Sequence, residues 1–282
     1  MNNKIISFCK WCQKLPPVEL ANTLKRLGFD GVDLPCRPGS TVTHANGPEK
    51  LPEYKKIFKD HGLSLERLVT SLQTADDETD RLLAVISNLG IKKIRIDAES
   101  SLKEGETAQQ RLDKARRKLA GLQKLLEKHG VKGGIQNHSG GNVLEINISC
   151  LLLLLRDCDP KWVGIQYDPG HATISGEPIK LAISLMGPHL HSVNIKSPRQ
   201  EYFINPENGR LAYKPVWVPL KDGMLDMPML LSELKAAGYK DALSIHAEYR
   251  SHFHFVERDM EACNALVADD VKYLRKQLRE AI

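Results

Sequence analysis

The feature of this chain that most narrows its fold is a repeated alternation of short β-rich runs with longer amphipathic ones. The β-rich runs lie at 5–8, 31–34, 63–69, 93–97, 131–137, 162–167, 191–195 and 242–247. Between and after them, apolar residues at helical spacing predict helices over 17–27, 51–61, 77–89, 108–129, 143–158, 178–186, 227–237 and 260–278. Several of these close on Gly28, Gly62, Gly90, Gly130 or Gly238, the left-handed cap that stops a helix before the next strand. Strands joined through helices run parallel, because each crossover returns the chain to the same end of the sheet. Eight such pairs predict a closed (β/α)8 TIM barrel rather than an open doubly wound sheet, and 282 residues suit one barrel of roughly 250 residues. With no linker or composition break, residues 1–282 are read as a single domain.

Composition removes several function classes. The 40 Lys+Arg against 35 Asp+Glu give +5, spread along the chain without a basic tract, so no nucleic-acid partner is demanded and a small anionic substrate is accommodated. The longest apolar run, Leu151 to Leu155, is far too short for a bilayer and is bounded by Arg156 and Asp157. No apolar leader precedes the first strand, so no membrane partner and a cytoplasmic location are expected. Six cysteines in a chain this long make no disulfide framework, and Cys9 and Cys12 have CxxC spacing without the second pair a zinc site needs. A homo-oligomer is left open.

In a barrel of this kind the chemistry gathers at the C-terminal ends of the strands. Those ends collect Asp33, Gln136, His138, Asp168, His171, Asn194, Lys196, His246 and Glu248. Gln136 and His138 share parity on one strand, as do Asn194 and Lys196, and His246 and Glu248. One such residue alone reads as a hydrogen-bonded plug of the barrel core; the set from four consecutive strands reads as a site. Asp33 and Asn137 are assigned to substrate contact. The stretch 197–226 carries four prolines with Tyr202, Phe203, Tyr213 and Trp217, and is expected to form an ordered lid in which Trp217 faces the substrate. Arg199, Arg250 and His252, beside Lys196, offer either an anionic subsite or a solvated basic rim; His252 and His254 alternatively present a metal pair.

At these residues the sequence resembles the xylose isomerase-like TIM barrels, the sugar phosphate isomerase and epimerase superfamily that also holds inosose dehydratases and endonuclease IV. The resemblance rests on GFDGVDL at 28–34, QNHSGG at 136–141, YDPGHA at 167–172, VNIKS at 193–197, and LKDGMLD at 220–226 running on to GYKDALSIHAE at 238–248. It spans almost the whole chain, and the order and spacing of the motifs are its most specific part.

What the resemblance implies is a divalent cation held by a Glu, an Asp, a His and a Glu from the fifth to eighth strands. Carried over, those positions are Gln136, Asp168, Asn194 and His246, and only the aspartate keeps its type. The implied cofactor is therefore either one divalent transition metal (Zn, Ni, Mn or Fe) on a rearranged site, or none. The implied reaction is sugar, sugar-phosphate or sugar-acid isomerisation or epimerisation by proton transfer beside a carbonyl. Glu248 or His171 is then the base, and Lys196 or His138 the stabiliser of the enediolate. Two alternatives belong to other classes: a metal-free carbohydrate-binding barrel without catalysis, and an endonuclease IV-like DNA repair enzyme. The last is disfavoured by Asn194 and by the lack of a DxH pair after it.

Overall fold

A computed structural model describes residues 1–249 and 259–281, so the expectations placed on Arg250, His252 and His254 lie outside the described residues. In chain order the elements are β1 (Ile5–Phe8), α1 (Pro17–Arg26), β2 (Gly31–Pro35), α2 (Gly47–Asp60), β3 (Ser64–Val69), α3 (Asp77–Asn88), β4 (Lys93–Ile96) and α4 (Ala108–His129). There follow β5 (Lys132–Gln136), α5 (Ile148–Leu155), β6 (Val163–Tyr167), α6 (Pro169–Ile174), α7 (Ile179–Met186) and β7 (Leu190–Ile195). The chain ends with β8 (Ser197–Ile204), β9 (Leu211–Val218), α8 (Met227–Ala236), β10 (Leu243–His246) and α9 (Met260–Glu280).

Strands β1 to β7 and β10 close into a parallel barrel in the order β1-β10-β7-β6-β5-β4-β3-β2. The order is sequential because each crossover is short and places the next strand beside the last. Helices form where the apolar period is close to 3.6. In α4, Ala115, Leu119, Leu122 and Leu126 make the buried stripe, Thr107 and Gln110 form a capping box, and Gly130 ends the helix at φ 62°. Among the described residues no helix is long and apolar enough to cross a membrane. All six cysteines are free, and burial pushes the Cys12 thiol up to about 12.

Three local expectations change. Helix α5 begins at Ile148, not at 143, because the Asn147 side chain accepts the Cys150 N–H at 2.8 Å and caps the helix there. Helix α6 adds to the expected elements: Pro169 is at home in the first turn of a helix that Asp168 caps. The lid of 197–226 is a β-hairpin, β8 pairing antiparallel with β9 from Ser197↔Val218 to Ile204↔Leu211. A two-stranded ribbon leaves an open edge on each strand, so Pro198 and Pro215 are tolerated within it.

Candidate active site

The polar residues at the strand ends form two groups. The inner one is built around Asp33, which pairs in register with Arg67 on β3. Arg67 donates to Asp33 Oδ2 from Nη2 at 2.7 Å and from Nε at 3.1 Å, and Ser244 Oγ donates to the same oxygen at 2.9 Å. Asn194 Oδ1 accepts from Arg67 Nη2 at 3.2 Å and from Gln166 Nε2 at 2.7 Å. His246 stacks on Phe8 with ring centroids 4.4 Å apart, its Nε2 3.9 Å from Asp33 Oδ2. Burial pushes the Asp33 carboxyl up, but Arg67, helped by His246 and Ser244, outweighs it and holds the group below the usual carboxylate range. Burial lowers His246 in spite of the neighbouring aspartates, so its ring is neutral.

The outer group closes around Lys196, the residue after β7. Its Nζ donates to Glu248 Oε2 at 2.9 Å, faces His171 Nε2 at 2.8 Å and lies 3.4 Å from Asp168 Oδ2. The Trp217 ring covers Nζ at 4.1 Å and meets the His171 ring edge-on at 4.9 Å, while the His138 ring lies against His171 at 4.1 Å. Asp168 caps α6 by accepting the His171 N–H on Oδ1 at 3.1 Å, and its Oδ2 takes the Gln136 Nε2 donor at 2.7 Å. A carboxylate oxygen only accepts, so Gln136 must turn its N–H side inward. Lys10 completes the group, donating to Glu248 Oε1 at 3.1 Å.

Backbone geometry keeps these side chains in place. A Cβ at Gly170 would stand 2.6 Å from the Lys196 carbonyl oxygen and 2.9 Å from its Cγ; only glycine lets the start of α6 lie against the lysine. Asn137 spends its amide on the Asp168 backbone, donating to the carbonyl at 2.9 Å and accepting the N–H at 2.6 Å. Ser139 offers His171 Nδ1 both its backbone N–H at 3.1 Å and its Oγ at 2.7 Å, so either ring tautomer finds a partner there.

The charges follow from these contacts. Burial raises the Glu248 carboxyl, but Lys196 and then Lys10 outweigh it and hold the group well below its ordinary value; Lys196 does the same, more weakly, for Asp168. Burial and the adjacent Lys196 push His171 down to about 2, leaving a neutral ring, and act in the same direction on His138.

The sequence-predicted residues thus divide. Glu248, His171, Lys196, His138 and Trp217 come together with Asp168 and Gln136 at the mouth of the barrel. Asp33 and Asn137, expected to touch substrate, are fully buried and bonded to Arg67 and to the Asp168 backbone respectively. Asn194 and His246, carried over as ligands beside Gln136 and Asp168, are engaged in the Asp33 group instead. Arg199 leaves the mouth along β8 and pairs with Glu201 at 2.9 Å. Arg67, Gln166 and Ser244 escaped notice in the sequence; the one available signal was an arginine at the centre of the strand SLERLV.

These side chains do not fit a divalent cation. Asp168 Oδ2 already faces an amide N–H and an ammonium, and two of the four carried-over ligands are turned to Arg67 and Asp33. Among the described residues no three His, Cys, Asp or Glu are placed to hold a metal ion.

Residues 21–277 match the family described as Xylose isomerase-like TIM barrel, and the chain belongs to it. Solved structures of similar fold include the 3-keto-D-glucoside 4-epimerase YcjR from E. coli, at 15% identity and TM-score 0.72 over 98% of this chain and 100% of that one. A D-psicose 3-epimerase studied with D-fructose gives 15% identity and TM-score 0.71 over 98% and 99%. A xylose isomerase-like TIM barrel protein from Mycobacterium smegmatis, in complex with magnesium, gives 15% and 0.68 over 95% and 91%. At such identities the likeness speaks for the fold alone. In sequence, an uncharacterized protein of Methanocaldococcus jannaschii is 27% identical over 128 residues, 45% of this chain, and the match spans only 40% of that relative.

Proposed function

We propose that this barrel moves a proton at the carbon beside the carbonyl of a sugar or sugar-phosphate, as an isomerase or epimerase. The observation that carries the reading is one hydrogen-bonded group, Lys196 with Glu248 and His171, lying under the Trp217 ring at the end of the barrel where such folds do their chemistry. Proton abstraction beside a carbonyl needs a base and a positive group to hold the developing enediolate oxygen.

Lys196 supplies the positive group and Glu248 the base. While the lysine N–H points at Glu248, the carboxylate is a weak base, because two cations stabilise its charge. When the substrate carbonyl oxygen takes that N–H, the attraction is drawn off Glu248 and its basicity rises as it meets the carbon acid. His171, neutral and beside the same nitrogen, is the second proton acceptor, and Gln136 and Asn137 hold Asp168 so that the lysine keeps its position. The Trp217 ring provides an apolar face for the C–H side of a sugar. The names of two fold neighbours, a 3-keto-D-glucoside 4-epimerase and a D-psicose 3-epimerase, support a carbonyl-bearing sugar as substrate.

The test is incubation in D2O with a panel of ketoses, keto-glycosides, inososes and their phosphates, read by NMR. Deuterium should enter beside the carbonyl of at least one of them and should fail to enter with Lys196→Met. Sugars that raise the melting temperature yet exchange no hydrogen would replace this reading with that of a carbohydrate-binding barrel.

A further inference from the structure

The Lys196 ammonium sits where three ligand-type side chains converge: Asp168 from the end of β6, His171 from α6 and Glu248 from beyond β10. One imidazole and two carboxylates are a donor set that a catalytic transition metal accepts, with ligand distances of about 2.0–2.2 Å. Here the same donors stand 2.8, 3.4 and 2.9 Å from Nζ, the spacing of hydrogen bonds and ion pairs. Among the described residues, the Asp168 and Glu248 charges are met by Lys196 and Lys10. A divalent ion added to this group would leave two positive charges uncompensated in a place where the lysine side chain is only 5% exposed. Gln136 acts in the same sense, since its inward N–H takes the Asp168 oxygen that a metal would need.

We infer that the Lys196 ammonium is the resident cation of this site: it excludes divalent ions and keeps Asp168, His171 and Glu248 at hydrogen-bond spacing, where they hold no metal as they stand and can close on one only when the ammonium is gone. The inference rests on the proposed function only for the further role of that ammonium toward a substrate oxyanion. It also accounts for the Gln at 136, since a Glu there would add a third carboxylate to a group whose charge the lysines already balance.

The experiment needs no substrate, so its failure is distinguishable from a failure of the proposed reaction. Chelator-treated protein without a metal-binding tag is titrated with Co2+ and Zn2+, followed by calorimetry and by the visible Co2+ spectrum, for wild type, Lys196→Met and Lys196→Met/Gln136→Glu. Wild type should show no saturable site. Lys196→Met should take up about one equivalent, at least about a hundredfold tighter than wild type, and the double variant should bind tighter still. Circular dichroism and the melting temperature establish that each variant is folded, and Lys196→Ala serves if the methionine variant is not. A stoichiometric site in wild type that Asp168→Asn removes would overturn the inference, as would a folded Lys196 variant that takes up no metal.

Discussion

Asn194 Oδ1 accepts a hydrogen bond from Arg67 Nη2 at 3.2 Å, and the same guanidinium nitrogen grips Asp33 Oδ2 at 2.7 Å. Strand β7 and the residue that follows it therefore give one polar side chain to each of two groups, Asn194 to the Arg67 group and Lys196, two residues on, to the mouth. The inner group is a charge pair buried to 4% exposure or less; Ser244 bonds to Asp33 Oδ2 and Gln166 to Asn194 Oδ1, while Asp33 Oδ1, Arg67 Nη1 and Asn194 Nδ2 are buried without a partner among the described residues. It ties together the strands β7 and β10, after which Lys196 and Glu248 follow.

Removing one partner of such a pair leaves the other charged and buried, which costs about 3–5 kcal/mol. Asp33→Ala should therefore destabilise the protein by that amount in urea denaturation. Asp33→Ala combined with Arg67→Met should recover much of the loss. Loss below about 1 kcal/mol for Asp33→Ala would show that Arg67 finds another partner.

Glu248→Gln keeps the size of the side chain and removes the proposed base, so hydrogen exchange into substrate should fall about 10²–10⁴-fold; because it also takes a carboxylate from the buried Lys196, the melting temperature should fall as well. Because Lys196 and Lys10 hold the carboxyl far below its ordinary value, it is ionised throughout the neutral range, and the acid limb of kcat/KM should lie below that of an ordinary glutamate. Taking away one cation raises the pKa. Lys10→Met should therefore move the acid limb to higher pH, and an unmoved limb would point to a different base.

How much of this was readable beforehand follows from range. Each barrel strand lies within two residues of its β-rich run, since alternation and glycine caps are local signals, and strand-end placement named Lys196, His171, Glu248 and Asp168, whose side chains meet in the structure. The Arg67–Asp33 pair joins adjacent strands 34 residues apart in sequence, and Arg67 to Asn194 spans 127, so neither contact leaves a local trace. The direction in which Asn194 and His246 turn depends on those contacts, and a metal set transferred by strand position alone could not register it. The hairpin was concealed by Pro198 and Pro215, whose meaning changes once the ribbon has open edges.

Trp217 stacks over the Lys196 ammonium at 4.1 Å and braces His171. Such a contact is worth about 0.5–2 kcal/mol, depending on desolvation. Trp217→Leu should raise KM for the sugar and lower the melting temperature slightly, while Trp217→Phe retains part of both. Equal behaviour of the two variants would assign the ring to hairpin packing alone.

Asp270 on α9 joins the end of the hairpin to the exit of the last barrel strand: Oδ1 accepts the Leu220 N–H at 2.8 Å and Oδ2 the Tyr249 hydroxyl at 2.5 Å. Burial outweighs these bonds and pushes its carboxyl up to about 7. Its folded value therefore lies above the unfolded value of about 3.9, so the folded state binds the extra proton between the two. The group weighs nothing against folding below about pH 4, costs progressively more up to pH 7, and then levels off. The slope is about 1.4 kcal/mol per unit, for a total on the order of 4 kcal/mol. Asp270→Asn keeps an acceptor for Leu220 and turns an N–H to the Tyr249 oxygen, without the charge. Compared by urea denaturation at pH 5 and pH 8, the variant should gain on wild type as pH rises, through the unfolding of a region that holds both the lid and the segment after β10 that bears Glu248. A difference between the two proteins that is constant with pH would mean that Asp270 is ionised in the folded state throughout.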